Sequence, residues 1–295
     1  LGFMATRIDN LVVIGVGLIG GSVAAALKRA GAVGKVTGVG RGRANLERAL
    51  ALGYIDAVEN DAALAARDAD LALIAVPVAQ TEPVLRRLGE VSNPNLVITD
   101  AGSTKGDFVQ AARRVFCKAK LGNIVPGHPI AGAELTGVDA ASPTLFEGRR
   151  VVLTPLPESR ATAVARVEAM WSTCGARVAR MDPARHDEVF SAVSHLPHVL
   201  AFALVEMIAA RRDGEELFSY AAGGFRDFTR IAGSSPEMWR DICVSNREPL
   251  LADIESFRRA LLQISDLVRA GDGARLQALF DSARSARERW IGPKS

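Results

Sequence analysis

Cysteine is scarce in this 295-residue chain: there are three, Cys117, Cys174 and Cys243, far apart and without a CxxC pair. Neither a disulfide framework nor a cysteine zinc site is expected, no other metal centre is indicated, and a reducing cytoplasm suits the chain. Aromatic residues make up only 5%. The basic residues, among them Arg41, Arg43, Arg86, Arg87, Arg149, Arg150, Arg211 and Arg212, are scattered with few aromatics between them, which argues against nucleic acid as a partner. A dominant charge sign is also missing. Lys and Arg total 36 against 33 Asp and Glu, a balance that suits small anionic ligands but is equally that of an ordinary soluble protein. No apolar run is expected to approach the roughly 18 residues that cross a bilayer, and no basic-then-apolar secretory pattern opens the chain, so no membrane partner is expected. Residues 1–3, ahead of Met4, read as an expression remnant.

What is present is ample apolar material, 48% of the residues, in a length that suits two domains of about 150 residues each. The first half alternates short β-rich runs with amphipathic stretches, the rhythm of βαβ units on a parallel sheet. Strands are predicted at 10–14, 35–39, 71–76, 96–99, 123–125, 151–154 and 177–181, with clear helices at 18–30 and 43–52. After Met181 the rhythm changes. No convincing strand follows, while 196–210 and 249–268 carry apolar residues at helical spacing. The expected organisation is an α/β domain over 4–182 and an all-helical substrate and dimerisation domain over 183–295. A helix as apolar as 199–205 needs burial on most of its circumference. A small helical domain achieves this most readily against a second copy, so a homodimer is predicted.

Gly15-Val-Gly17-Leu-Ile-Gly20 follows an apolar strand and opens a helix, the context that a GxGxxG pattern requires. Gly15 permits the tight turn, Gly17 lets backbone amides approach a pyrophosphate, and Gly20 allows close helix packing, with Leu18 and Ile19 at the helix start facing the phosphates. Val76 and Pro77, closing a later strand, complete the expected cofactor contacts. The N-terminal domain is therefore read as a Rossmann-type, doubly wound, mostly parallel sheet that binds NAD(P). NAD-specific versions usually carry an acid at the end of the second strand. Here Gly40-Arg41-Gly42-Arg43 stands there, and a guanidinium can grip the ribose phosphate of NADP. The alternative is that Arg41 and Arg43 form only a solvated loop.

In an open parallel sheet, ligands gather beyond the carboxyl ends of the strands. Asp100-Ala-Gly102-Ser103-Thr104-Lys105 and Pro126-Gly127-His128-Pro129 lie at such ends. A histidine between glycine and proline has a tightly defined backbone, which suits a group meeting a substrate hydroxyl, although a loop histidine bonded to backbone would look the same. His186, His195 and His198 cluster further on. The spacing of His195 and His198 is one helical turn, but Pro197 between them and the lack of a further ligand weigh against a metal half-site.

GVGLIGGS, DAGSTKG, GHPIAG, VSHLPH followed by AFAL, and GGFRDFTRIA at 223–232 together resemble the signature set of prephenate and arogenate dehydrogenases, in order over 11–258. The resemblance implies oxidative decarboxylation of a cyclohexadienyl substrate, with His128 as the base for the ring hydroxyl and Ser103 holding hydroxyl and imidazole in register. It further implies that Arg230 binds the ring carboxylate, that His198 contacts the side chain and that Gly223 lines its pocket, with Glu134, Asp227 and Trp239 in support. The arginine-bearing loop departs from strict NAD use. Other readings are a hydroxyacid dehydrogenase or imine reductase with a helical dimerisation domain, or a non-catalytic NAD(P) sensor. Ser103, His128 and Arg230 together argue for chemistry. A neutral His128 predicts that activity falls below a pH of about 6.5.

Overall fold

The computed structural model describes residues 7–132 and 137–292. Its main sheet contains β1 (Ile8–Ile14), β2 (Val33–Val39), β3 (Ala57–Glu59), β4 (Leu71–Ile74), β5 (Val97–Asp100) and β6 (Ile124–Val125), in the order β3-β2-β1-β4-β5-β6. All its pairings are parallel. The alternation of side chains explains why the central strands are apolar throughout. Leu11 and Val13 of β1 with Leu71 and Leu73 of β4 enter one core, together with Val23 and Leu27 from helix Leu18–Arg29 and Trp171 from helix Ala161–Thr173. Val12, Ile14, Ala72 and Ile74 enter the other, against Leu85 and Leu88 from helix Thr81–Gly89 and Phe108 from helix Gly106–Val115. Helices thus cover both faces. The strand order reverses between β1 and β4, which opens a crevice at their carboxyl ends.

The series does not continue into the last two predicted strands. β7 (Gly127–Pro129), β8 (Arg150–Leu153) and β9 (Arg177–Arg180) form a separate sheet, with β7 antiparallel to β8 and β8 parallel to β9. Pro126 lies between β6 and β7 and has no N–H to extend a ladder, while the Gly127 N–H donates to the Asp100 carboxylate at 3.0 Å. The first sheet ends there, and the chain turns into the second sheet carrying His128. Sequence patterning missed β3 and β7 because three residues are too few to show a period.

From Pro183 onward the described residues form helices and turns. Asp182 caps helix Pro183–Phe190, accepting from the Ala184 and Arg185 amides, and Pro183 occupies a first-turn position where its missing N–H costs nothing. A π-helical turn, Ser191–His195, then leads into helix Leu196–Ala209, and the wider turn accommodates Pro197. By length and composition alone the continuous span Pro183–Ala209 is apolar enough to cross a membrane, which corrects the expectation that no run would come close. Within the chain, only Ala201 of Leu196–Ala209 is buried.

The chain divides into two compact units, Leu1–Arg247 and Glu248–Ser295. The first holds both sheets and all the residues treated below. The second consists of the greater part of helix Arg247–Ala270 and all of helix Gly273–Ile291, which Asp272 caps through the Arg275 amide.

Candidate active site

The crevice at the switch point is a cleft of about 880 Å³ lined by Gly15, Val16 and Gly17 after β1, Val39, Gly40 and Arg41 after β2, and Val76 and Pro77 after β4. The glycines divide their work as the motif requires. Gly15 has φ +95°, and a Cβ there would run into the Ala75 carbonyl oxygen; a Cβ on Gly20 would strike the carbonyl oxygen of Gly15. At Gly17 a Cβ would meet nothing within 4 Å, so the space beside it is open. Gly17 caps helix Leu18–Arg29 without a side-chain bond, so the Leu18, Ile19 and Gly20 amides at its start lack intrahelical acceptors. An open cradle of amides at the end of β1 fits a dinucleotide pyrophosphate. Leu18 and Ile19 themselves do not line the cleft.

The two arginines after β2 separate. Arg41 lines the cleft, whereas Arg43, the first residue of helix Arg43–Ala51, pairs with Glu47 one turn on at 2.8 Å and does not line it. Asp61, across the cleft, is engaged by Arg87. No carboxylate follows β2 directly, where Val39 gives way to Gly40 and Arg41.

Beyond the carboxyl ends of β5 and β6 lies a polar cluster. His128, on β7 opposite Val152, is half-buried, with Phe190 against its ring at 4.8 Å between centroids. Its Nδ1 lies 2.9 Å from Nε2 of His186, and Nδ1 of His186 lies 2.8 Å from the Asp187 carboxylate. That carboxylate also accepts the Lys105 and Gly106 amides at 2.9 and 2.7 Å, at the start of helix Gly106–Val115. The orphan donors of a helix N-terminus thus hold an anion from a distant helix. The Lys105 ammonium, fully buried, bonds the Asp100 carboxylate and the Gly127 carbonyl oxygen, the latter at 2.7 Å. Gly127 is therefore fixed through both its N–H and its C=O, which sets the backbone entering His128. Asn246 donates to the Asp187 carbonyl at 2.8 Å and lies 2.9 Å from His195 Nδ1.

Burial, reinforced by the charges of His186, Lys105 and His195, holds the His128 pKa well below its ordinary 6.5. Burial also lowers His186, against the opposing pull of Asp187, and takes His195 down to about 4. Burial would raise Asp187, but His186 and the Gly106 and Lys105 amides outweigh it and hold the carboxyl below its usual range. At neutral pH the cluster therefore consists of uncharged imidazoles beside ionised Asp187.

Of the other expected residues, Trp239 lies 6.0 Å from His195 between ring centroids. His198 stacks on Trp239 at 3.7 Å between centroids and donates Nδ1–H to the Ser194 carbonyl at 2.8 Å. Burial lowers its pKa, and the Arg230 charge adds to this, so Arg230 lies within electrostatic reach of His198. Helix Pro236–Ser245, which carries Trp239, packs against the turn Val78–Gln80 that follows Pro77, which brings this group toward the cleft. Gly223 and Asp227 lie exposed on helix Gly223–Thr229, which packs on Leu196–Ala209 and runs into Arg230. Ser103 is half-buried in the loop after β5, and no hydrogen bond joins it to His128 among the described residues. Glu134 lies outside the described residues. Among those described, no group of three or more His, Cys, Asp or Glu could hold a metal ion. Sequence reasoning gave no role to His186, Asp187 or Asn246. The one available signal was a His-Asp pair just inside an Asp-Pro helix start.

The nucleotide-binding domain model of prephenate dehydrogenase matches residues 23–180, and the prephenate dehydrogenase dimerization domain model matches 182–282. Cyclohexadienyl dehydrogenase of Zymomonas mobilis is 34% identical over 286 residues, covering 96% of this chain and 96% of that protein. The crystal structure of prephenate dehydrogenase from Aquifex aeolicus with hydroxyphenyl propionate and NAD+ superposes with a TM-score of 0.87 at 35% identity, over 97% of this chain and 98% of that one. Arogenate dehydrogenase of Synechocystis gives 0.81 at 28% identity, over 95% and 99%.

Proposed function

This chain belongs to the prephenate dehydrogenase family, and on that premise we infer that it oxidatively decarboxylates prephenate, arogenate or both, with NAD(P) as hydride acceptor. The observation that carries the reading is His128. It sits at the carboxyl end of the sheet on a backbone fixed through Gly127, it is uncharged at neutral pH, and its Nε2 has no partner among the described residues. Such a nitrogen can take the proton of a ring hydroxyl.

The bound nicotinamide supplies the hydride acceptor. The cradle at Gly15, Gly17 and Gly20, with Val76 and Pro77, would hold the dinucleotide. His128 draws off the hydroxyl proton as the hydride leaves the same ring carbon. Carbon dioxide then departs from the opposite carbon, the ring becomes aromatic, and the phenolic oxygen recovers its proton. Ser103 orients the hydroxyl, Arg230 holds the ring carboxylate, and His198, stacked on Trp239, meets the side chain beside Gly223. Asp227 and Glu134 are assigned to the support of the site.

Arg41 supports a finer reading, in which the enzyme accepts NADP by gripping the ribose phosphate; Arg43, which does not line the cleft, is left out of it. The incompletely buried apolar helix Leu196–Ala209 and the matched dimerization domain support a homodimer through 183–295, with the functional division near residue 182. Three free cysteines suit a reducing cytoplasm.

The test is His128→Asn, assayed by formation of reduced nicotinamide. Turnover should fall by roughly 10²–10⁴ with KM little changed. In the intact enzyme the acid limb should lie below 6.5, because a depressed pKa keeps the base neutral to lower pH. Undiminished turnover in the variant would sink the assignment.

A further inference from the structure

We propose that Asp187, acting through His186, sets the tautomer of His128 and stabilises the charge that His128 acquires. The inference rests on the reading of His128 as the base, and it follows from the polarity of one hydrogen-bond chain.

Amides only donate. Asp187 accepts from the Lys105 and Gly106 amides, so its carboxylate is an acceptor, and the His186 nitrogen beside it must carry a hydrogen. A neutral imidazole has one N–H, so His186 Nε2 is a lone pair. The nitrogen facing it, Nδ1 of His128, must then be the donor. His128 is left with a bare Nε2, the form a general base requires. Groups on three chain segments, 105–106, 186–187 and His128 itself, thus decide which nitrogen reacts. The other titratable and charged groups around His128 do not compete for this chain. Lys105 is spent on Asp100 and the Gly127 carbonyl, and His195 Nδ1 is spent on Asn246.

The chain also has a use during turnover. When the substrate O–H bond breaks and Nε2–H forms, His128 becomes a cation in a site where burial opposes charge. Passing its Nδ1 proton to His186 moves the charge next to the Asp187 anion. Once carbon dioxide has left, the developing phenolate takes the Nε2 proton back and the shift reverses. No proton leaves the site, which accounts for a relay residue, His186, with 0% exposure. His186 and Asp187 do not touch the substrate in this scheme; they are positioning residues.

The test is Asp187→Asn in the full-length enzyme. Asparagine removes the anion, and its one oxygen can keep only one of the two amide bonds, because Lys105 and Gly106 donate to different carboxylate oxygens; where it keeps Gly106, the NH2 faces His186, inverts that ring's hydrogen-bond polarity and places the hydrogen of His128 on Nε2. We expect kcat to fall by about 10²–10⁴ while KM and nucleotide affinity stay within about threefold. Nitrogen-15 NMR of histidine-labelled protein should show His128 protonated on Nδ1 in the parent, with the Nε2-protonated form gaining population in the variant, a change that a merely structural role would not produce. Near-parental turnover in Asp187→Asn, with His128→Asn inactive, overturns the relay and leaves the base in place. Near-parental turnover in both variants removes the base itself. Should Asp187→Asn not fold, the parent spectrum decides, since a bare His128 Nδ1 contradicts the proposal.

Discussion

His128 and Arg41 show what a residue-level reading of sequence can and cannot deliver. The histidine stood out because Gly127 and Pro129 constrain its backbone, and the arginine because it follows the second strand, where NAD-specific sheets usually carry an acid. What surrounds them was not legible. The partner of His128 is 58 residues away, and the adjacent pair His186-Asp187 is of a spacing that ordinarily does not face one way on a helix. Burial also shifts the expected pH limb below 6.5, and sequence carries no measure of burial. Arg41 and Arg43 looked equivalent until the structure tied the second to Glu47. The distinction predicts that Arg41→Ala raises KM for NADP by about 10–100-fold, the equivalent of one or two charge-assisted hydrogen bonds, and leaves KM for NAD nearly unchanged. Arg43→Ala should alter neither. Equal effects on both nucleotides in Arg41→Ala would show that the guanidinium does not read the phosphate.

Among the elements, those with a period were readable and those without one were not. The strands that became β1, β2, β4 and β5 are apolar runs ended by glycine, proline or a polar loop, and their boundaries fall within a few residues of expectation. β3 and β7 are too short to declare themselves, and the break between sheets depends on the missing N–H of Pro126 together with the Asp100 carboxylate. Helix Leu196–Ala209 was identified readily, but its surroundings within the chain leave most of it only half-buried. Met207, 59% exposed there, stands for that open face. Met207→Glu should raise the dimer dissociation constant by about 100-fold in sedimentation equilibrium, since a carboxylate would replace a side chain worth about 2 kcal/mol when buried. A dimer of unchanged strength would move the interface away from this helix face.

At the scale of the whole molecule, the change of rhythm near residue 182 was the most informative feature in the sequence. It separates two halves matched by two family models, 23–180 and 182–282. The active-site reading draws on both: Ser103 and His128 from the first, His186, His198, Arg230 and Trp239 from the second. A sequence shows that such residues exist in order along a chain, whereas their convergence depends on turns such as Ser191–His195, whose π-helical geometry no periodicity announces. The central claim is that this convergence is a dehydrogenase site for a cyclohexadienyl acid. Its most direct test is formation of reduced nicotinamide by the purified protein with prephenate and with arogenate, each paired with NAD and with NADP. Turnover in at least one pairing, lowered by roughly 10²–10⁴ in His128→Asn, is the predicted result; no reaction in any of the four would contradict the account.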